Sequence, residues 1–416
     1  MDTETRTKES GVRSPTPWPD APTPTRGGPG GFVSGESTPV FVLLVATSAT
    51  LLVLGLVMSF SASFVRSAAE TGDAFGIFSR QLLWCAVGMV LIVPLALTDY
   101  HRWRRFAVPL LAVALIACAA VLVPEIGDLR NGARRWLSLG PVGLQPAEMT
   151  KLALALALSH LIARRWTRIR SGDLHALLMP ALPLMVTAAL LILVEPDLET
   201  AVLVLAIGGT VLYVAGLPGR ILAVGVGGAF LGAAASIASS GFRRGRILAW
   251  LDPVSDASNF GYQQLQGFIA LGSGGLFGVG LGRSRGKWNY VPNADTDFIY
   301  AIIGEELGFL GAFTVLLLFL GIAVGGTIAA RSAPDPFGRL LAAALTAGLL
   351  VQAGFNMGSV VGLLPVTGVT LPLVSYGGSS LVFTMISLGL LLSIARSGQT
   401  PAAGRGASRA RGRAGR

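Results

Sequence analysis

Long apolar runs separated by short polar segments dominate the amino-acid sequence. A membrane-spanning helix needs about 20 predominantly apolar residues, and ten runs meet or approach that length. They cover 40–60, 77–97, 106–124, 147–163, 176–194, 200–216, 220–239, 298–325, 338–357 and 377–395. The run at 200–216 is short, and glycines interrupt the run at 220–239. The pattern predicts an all-α polytopic membrane protein with about ten transmembrane helices.

The polar segments predict three parts of the chain. Residues 1–39 are rich in Pro, Thr and Gly, which is typical of a disordered tail and not of a signal peptide. Residues 40–396 form the membrane domain, in which 240–297 is a long loop between helices seven and eight. Residues 397–416 form a second disordered tail, which is rich in arginine.

The placement of arginine predicts the orientation in the membrane. Short loops that carry most of the Lys and Arg face the cytoplasm, and here these are 98–105, 164–175, 217–219 and 326–337. An even number of spans then leaves both termini in the cytoplasm and puts 125–146 and 240–297 outside. A basic tail beside a membrane domain favours the anionic leaflet as its partner over nucleic acid.

Composition excludes several classes of protein. Hydrophobic residues make up 52% of the chain and charged residues only 13%, whereas a soluble domain carries about 25% charge. Three histidines and two cysteines make a zinc site improbable, and no disulfide is expected because Cys85 and Cys118 lie in apolar runs. No Walker loop, Rossmann fingerprint, nucleophile elbow or HExxH pattern is present, so ATP-driven transport and zinc proteolysis have no support.

Carboxylates at the start of the eighth run are the first candidates for chemistry. Asp297 lies at the predicted helix start, where a cap and a functional group are both reasonable interpretations. Glu305 and Glu306 lie further along the apolar run, where an ionisable group is a functional candidate by default. At about 100° per residue, Glu305 is about 80° from Asp297 and Glu306 about 180° away. Only Glu305 is expected to share the face of Asp297.

Three further polar groups lie at the ends of the predicted spans. Glu148 and Lys151, at helical spacing, predict an ion pair or a lysine that faces a phosphate. Glu195, Asp197 and Glu199 form an acidic turn that fits cation binding or helix capping. The uncharged segment 365–380, which contains Ser375, has many turn-forming residues and predicts irregular backbone that is buried or lines a cavity.

Cations on the predicted outer side indicate an anionic partner there. Arg134 and Arg135 lie in the first outer segment, and Arg243 and Arg246 in the second. Long translocated segments escape the positive-inside rule, so position alone does not make these residues functional.

Specific motifs in this order resemble the SEDS family of bacterial cell-wall proteins, the group that contains FtsW and RodA. The match runs from about 41 to 396, and 287–294 is more similar to the actinobacterial division branch of that family. The motifs are Asn131–Trp136 with Gln145–Glu148, Glu195–Asp197, Gly261–Gln264, Asp297–Ile299 with Gly304–Gly308, and Gly362–Pro365 with Ser375–Ser379. Two positions depart from the family: Asp295 stands where many relatives have His, and Glu199 where they usually have Gly.

The resemblance implies a ten-helix enzyme that polymerises lipid II at the outer face of the bacterial plasma membrane. Its implied partners are a class B penicillin-binding protein, other divisome proteins and the lipid bilayer. The resemblance does not firmly imply a cofactor, and it leaves open whether a divalent cation, Mg²⁺ or Mn²⁺, is used. The implied catalytic residue is Asp297, and desolvation and repulsion from Asp295 are expected to raise its pKa. The candidates for substrate binding are Arg134, Arg135, Glu148, Lys151, Asp197, Arg243, Arg246, Glu305 and Ser375.

Two other functions remain open at the level of sequence. A lipid II flippase is expected to have inward-facing polar groups along several spans, whereas the charges here gather at the predicted outer end. A non-catalytic scaffold that recruits a transpeptidase is the second alternative.

Overall fold

The computed structural model describes residues 38–130, 132–139 and 142–398. Most of the two predicted tails, 1–37 and 399–416, lies outside the described residues. The helices are α1 (Pro39–Thr71), α2 (Gly76–Leu97), α3 (Ala107–Val121), α4 (Pro146–Arg164), α5 (Trp166–Arg170), α6 (Leu174–Val194), α7 (Leu198–Val214), α8 (Gly219–Ala238), α9 (Gly241–Leu251), α10 (Phe260–Gly274), α11 (Ile299–Ser332), α12 (Pro336–Val360) and α13 (Gly378–Ser397).

Ten of these helices coincide with the ten apolar runs, which confirms the prediction of a helical polytopic membrane fold. Within the described residues, eight segments are long and apolar enough to cross a membrane. They are α1, α2, α3 with its preceding 3₁₀ turn, α6, α8, α11, α12 and α13. The helix α7 is shorter, and α4 carries Glu148 and Lys151 in its first turns. The count of ten spans therefore stays a prediction.

The helix α4 forms the centre of the bundle. Every side chain from Pro146 to Ser159 is buried, and α4 contacts α3, α6, α7, α12 and α13. Alternating Leu and Ala residues make this helix apolar on all sides, which is typical of a helix surrounded by others. In contrast, α8 buries none of its residues. The core is therefore built around the helix whose first turns carry Glu148 and Lys151.

A small antiparallel sheet occupies the first predicted outer loop. Strands β1 (Gly127–Arg130), β2 (Ala133–Leu139) and β3 (Val142–Leu144) pair in that order, with Gly127 opposite Leu137. The search for long apolar runs missed this sheet because β1 and β3 have only four and three residues and because apolar and polar residues do not alternate strictly along β2. Cys85 and Cys118 are both buried, and no disulfide joins them in the described structure.

The second predicted outer loop, 240–297, contains structure of its own. It holds α9, α10 and an irregular turn at Gly286–Tyr290. The helix α11 that follows is longer than the predicted run and breaks at Gly308, where φ is 71° and ψ is −169°. The carbonyls freed at the break accept hydrogen bonds from the segment after α10: Val279 N donates to Glu305 O at 3.0 Å and Gly280 N to Glu306 O at 3.0 Å. We call the end of the bundle that carries the sheet and 241–297 the loop end.

Candidate active site

Asp297 lies at the loop end, just before α11. The N-cap of this helix is Phe298, and no side chain caps it, so the interpretation of Asp297 as a helix cap is wrong. The side chain is half-buried, and its carboxylate accepts no hydrogen bond from the described residues. A Cβ on Gly368 would lie 3.9 Å from Asp297 Oδ2, so the backbone between α12 and α13 passes close by. The carboxylate is available for a ligand.

The backbone around Asp297 is held by the predicted irregular segment between α12 and α13. Ser375 Oγ donates to Thr296 O at 2.6 Å, and Tyr376 N donates to Asp295 O at 2.8 Å. Asn356 Nδ2 donates to Asp297 O at 2.8 Å and to Val369 O at 2.7 Å. Ser375 thus fixes the chain beside Asp297. Asn356 was not predicted, although a buried amide inside an apolar helix is the signal that marks it.

Burial and neighbouring charges set the ionisation of Asp297. Burial raises its pKa to about 7; Arg246 and Arg135 act to lower the pKa, and Asp295 and Glu199 act to raise it. The expectation that desolvation and Asp295 raise this pKa is confirmed.

Asp295 has a cation of its own, because Arg66 Nη1 lies 3.1 Å from Asp295 Oδ1. Burial raises the pKa of Asp295, and Arg66 opposes that shift. The departure from the family at 295 is therefore partly compensated within the structure.

The acidic turn before α7 brings two predicted cations into the same region. Arg246 Nη1 lies 3.3 Å from Glu199 Oε1. Arg135 Nη1 lies 3.8 Å from Asp197 Oδ2, and Arg135 Nε donates to Glu195 O at 2.9 Å. Within the described ranges, no three His, Cys, Asp or Glu side chains are grouped so that they could hold a metal ion.

The carboxylates of the acidic turn have different surroundings. Asp197 caps α7 by accepting a hydrogen bond from Thr200 N at 3.0 Å. Glu195 is fully buried, and burial raises its pKa to about 8. Asp197 is therefore a structural cap that also contacts Arg135, and burial favours the neutral form of Glu195.

Arg134 and Arg243 are held by local contacts. Arg134 donates to Pro124 O at 3.0 Å and to Gly127 O at 2.6 Å, which ties β2 to the end of α3. Arg243 donates to Ser236 O at 3.2 Å. The structure therefore brings Arg135 and Arg246 towards Asp297 and holds these other two arginines against polar atoms of the fold.

Glu148 and Lys151 form the buried ion pair that their spacing predicts. Lys151 Nζ lies 2.8 Å from Glu148 Oε1 and donates to Gln352 Oε1 at 2.7 Å. The pair lines a narrow cleft of about 30 Å³ among α4, α7, α12 and α13, whose walls are mostly apolar. A phosphate bound to Lys151 would share its ammonium group with Glu148 and Gln352.

Glu305 does not share a face with Asp297. Its carboxylate accepts hydrogen bonds from Arg285 N at 2.9 Å and Gly286 N at 3.2 Å, and from the Ser284 hydroxyl. The predicted angle of about 80° assumed a helix continuous from 297, whereas α11 begins at Ile299. Glu305 therefore holds the segment that leads to Asp297.

Comparison with known proteins assigns the family. The family model that covers the FtsW, RodA and SpoVE proteins, described as cell cycle protein, matches residues 41–400. The chain belongs to this family. The FtsW/RodA/SpoVE fold accounts for the helical bundle described above, and the sequence resemblance is thereby confirmed.

Named relatives and solved structures agree with that assignment. A probable peptidoglycan glycosyltransferase FtsW of Mycobacterium tuberculosis is 42% identical over 87% of this chain and 69% of its own length. Stage V sporulation protein E of Bacillus subtilis is 37% identical over 85% of this chain and 96% of its own length. The crystal structure of the rod shape determining protein RodA of Thermus thermophilus matches with a TM-score of 0.61 at 31% identity, over 86% of this chain and 97% of that chain.

A further solved structure comes from a peptidoglycan synthase complex that coordinates polymerization and crosslinking. Its matching chain has a TM-score of 0.69 and 31% identity, over 86% of this chain and 98% of that chain.

Proposed function

We propose that this protein is a peptidoglycan glycosyltransferase that polymerises lipid II into glycan strands at the outer face of the plasma membrane during cell division. The observation that carries the proposal is Asp297, a half-buried carboxylate with no hydrogen-bonding partner in the described structure, a raised pKa and a firmly held backbone. The name of the mycobacterial relative supports the activity.

In the proposed reaction Asp297 is the general base. It takes the proton from the 4-hydroxyl of the acceptor sugar while that oxygen attacks the anomeric carbon of the donor. The bond from this carbon to the pyrophosphate oxygen breaks with inversion, and undecaprenyl pyrophosphate leaves with the bonding electrons. A base with the usual Asp pKa of about 3.9 is poorly matched to a hydroxyl. A pKa of about 7 is better matched, because general bases work best near the operating pH.

Cations stabilise the leaving group in this scheme. Pyrophosphate is already a good leaving group, so it needs charge neutralisation and not a second carboxylic acid. Arg135 and Arg246 supply positive charge near Asp297. Lys151 supplies it in the cleft beside α4. Glu148, Asp197, Glu305 and Ser375 position these groups through the contacts described above.

The proposed setting is the bacterial plasma membrane with both tails in the cytoplasm and the loop end outside. The solved peptidoglycan synthase complex supports a penicillin-binding protein as partner. We assign that partner to class B and place both proteins in the divisome.

The test is reconstitution of the full-length protein and its transpeptidase partner in liposomes with fluorescent lipid II. The wild type should form polymer, and Asp297→Asn should lower the rate about 10²–10⁴-fold, the usual contribution of a general base. Thermal stability should be unchanged, because the side chain makes no cap and accepts no hydrogen bond from the described residues.

Each other outcome of this experiment identifies a different function. Leaflet exchange of lipid II without polymer means a flippase, and neither activity means a scaffold. A near wild-type rate in Asp297→Asn would show that another group is the base.

A further inference from the structure

A pocket of about 270 Å³ lies between α9 and α10 at the loop end. This volume is just below the range of about 300–1,000 Å³ that is typical of pockets for drug-sized ligands, so the pocket has room for one small ring. Such sites combine aromatic walls with a few polar groups. Three rings, two side-chain amides and a guanidinium line much of this one: Phe242, Phe260, Tyr262, Asn259, Gln263 and Arg246. Of these residues, only Arg246 has a place in the mechanism above.

The walls of the pocket are packed in place. The rings of Phe242 and Phe260 meet edge to face at 5.2 Å, and Arg246 lies over the Phe242 ring at 4.9 Å. A Cβ on Gly245 would lie 2.6 Å from the Phe260 ring, so α9 and α10 are in close contact. Trp250 Nε1 donates to Gly362 O at 2.9 Å, which ties α9 to the segment after α12. A ligand would meet a site that is already formed.

Apart from Arg246, which is paired with Glu199, the residues that line the pocket are uncharged. Side-chain amides both donate and accept hydrogen bonds, and aromatic rings cover apolar C–H faces. A neutral ligand with hydroxyl and amide groups on an apolar ring frame, that is a sugar, fits this combination.

The pocket also contacts the segment that leads to the proposed base. Gln263 Nε2 donates to Pro292 O at 3.2 Å, in the segment that leads to Asp297. Arg246 lines the pocket and also acts on the charge of Asp297. Phe242 lines the pocket and is 57% exposed, although an apolar ring is favoured in contact with other apolar surface.

We propose that this pocket binds the N-acetylated sugar of the acceptor lipid II and directs its hydroxyl towards Asp297. The proposal rests on the proposed function, because it names the substrate group that this reaction must place beside its base. Phe242 and Tyr262 are then specificity residues that contact the sugar ring.

The test measures binding, so that it does not depend on turnover. The probes are lipid II lacking the 4-hydroxyl, which cannot be extended, and undecaprenyl pyrophosphate, which carries the same lipid and pyrophosphate without sugars. The variants of the full-length protein in nanodiscs are Phe242→Ala and Tyr262→Ala. Leu248→Ala is the matched control, because Leu248 lies on the same helix as Phe242, is 66% exposed and is not part of the pocket wall.

Each ring variant should weaken binding of the lipid II analogue about 2- to 10-fold, the range expected for one aromatic contact. Binding of undecaprenyl pyrophosphate should not change, and the control should bind both probes like the wild type. Thermal unfolding of each variant confirms that it is folded.

Three results would overturn the proposal. Equal losses for both probes would mean that the pocket senses lipid or pyrophosphate. Unchanged binding in both ring variants would mean that no sugar contacts these rings. Unchanged binding with loss of the copurifying transpeptidase would mean a protein-docking surface. Polymerisation of ordinary lipid II by the wild type is measured separately, so failure of the proposed function is distinct from failure of this pocket.

Discussion

Replacing Lys287 by methionine should destabilise the protein through a charge left without its partner. Lys287 Nζ lies 3.2 Å from Glu306 Oε1, and the two side chains are 4% and 0% exposed. The ammonium group also donates to Gly282 O at 2.6 Å. The substitution keeps most of the side-chain volume and removes only the charge and its hydrogen bonds.

The expected cost follows from what remains around Glu306. Breaking a buried ion pair on one side costs about 3–5 kcal/mol. The carboxylate still accepts hydrogen bonds from Ser61 Oγ at 2.7 Å and Gly282 N at 3.0 Å, which offset part of the lost interaction. We therefore expect the lower end of that range, about 3 kcal/mol. Adding Glu306→Gln removes the uncompensated charge and should restore about 2 kcal/mol of this loss.

The measurement is a double-mutant cycle on the purified protein, in which unfolding in mixed micelles is compared for the wild type, both single variants and the double variant. A coupling free energy of at least about 2 kcal/mol is expected, because the double variant should recover that much relative to Lys287→Met and because Glu306→Gln alone should also destabilise the protein by leaving the lysine unpaired. A coupling below about 0.5 kcal/mol, the value typical of an exposed pair, would refute the argument that this pair is buried and mutually dependent.

Three further predictions concern the site and the orientation. The kcat/KM for lipid II should fall about tenfold per pH unit below the Asp297 pKa of about 7, because the base must be deprotonated. Glu199→Gln removes a charge that raises this pKa, so the acidic limb of the pH–rate profile should move to lower pH. An acidic limb that does not move would contradict the assignment of Asp297 as the base. Lys151→Ala should lower the polymerisation rate or raise the lipid II requirement with normal membrane insertion, and full recovery in the Glu148→Ala/Lys151→Ala double variant would show that the pair is only structural. Cysteines placed in 252–258 should react with an impermeant thiol reagent in intact spheroplasts and cysteines near 410 should not; the reverse labelling would overturn the orientation.

The sequence predicted the helices well because each apolar run is long enough to define one helix. It also placed Asp297 on the same side of the membrane as Arg135 and Arg246, together with Arg134, Lys151 and Arg243, although these residues are far apart along the chain. This prediction rested on the motifs that contain some of these residues and on the side of the membrane predicted for them. For Ser375 the sequence predicted only irregular backbone that is buried or lines a cavity. It did not predict the hydrogen bond from Ser375 to the backbone beside Asp297.

What the sequence missed depends on contacts between distant segments. The role of Glu305 is set by N–H groups about twenty residues earlier, which a helical wheel does not contain. Asn356 reaches Asp297 O from a different helix. The pairing of Asp295 with Arg66 joins residues 229 positions apart, and the sequence analysis considered only the repulsion between Asp295 and Asp297.

The break of α11 also determines how mutational data on this protein should be interpreted. Gly308 has a left-handed backbone, and a Cβ there would lie 2.3 Å from Gly278 N; a Cβ on Gly278 would lie 2.1 Å from Glu306 O. Any larger residue at either position is both strained and too close to backbone atoms. A saturation mutagenesis screen scored by growth should therefore show both positions as intolerant, although neither glycine has a side chain that could act on a substrate. Intolerance at Gly278 and Gly308 reflects steric exclusion, so these positions should not be assigned to the active site on that evidence.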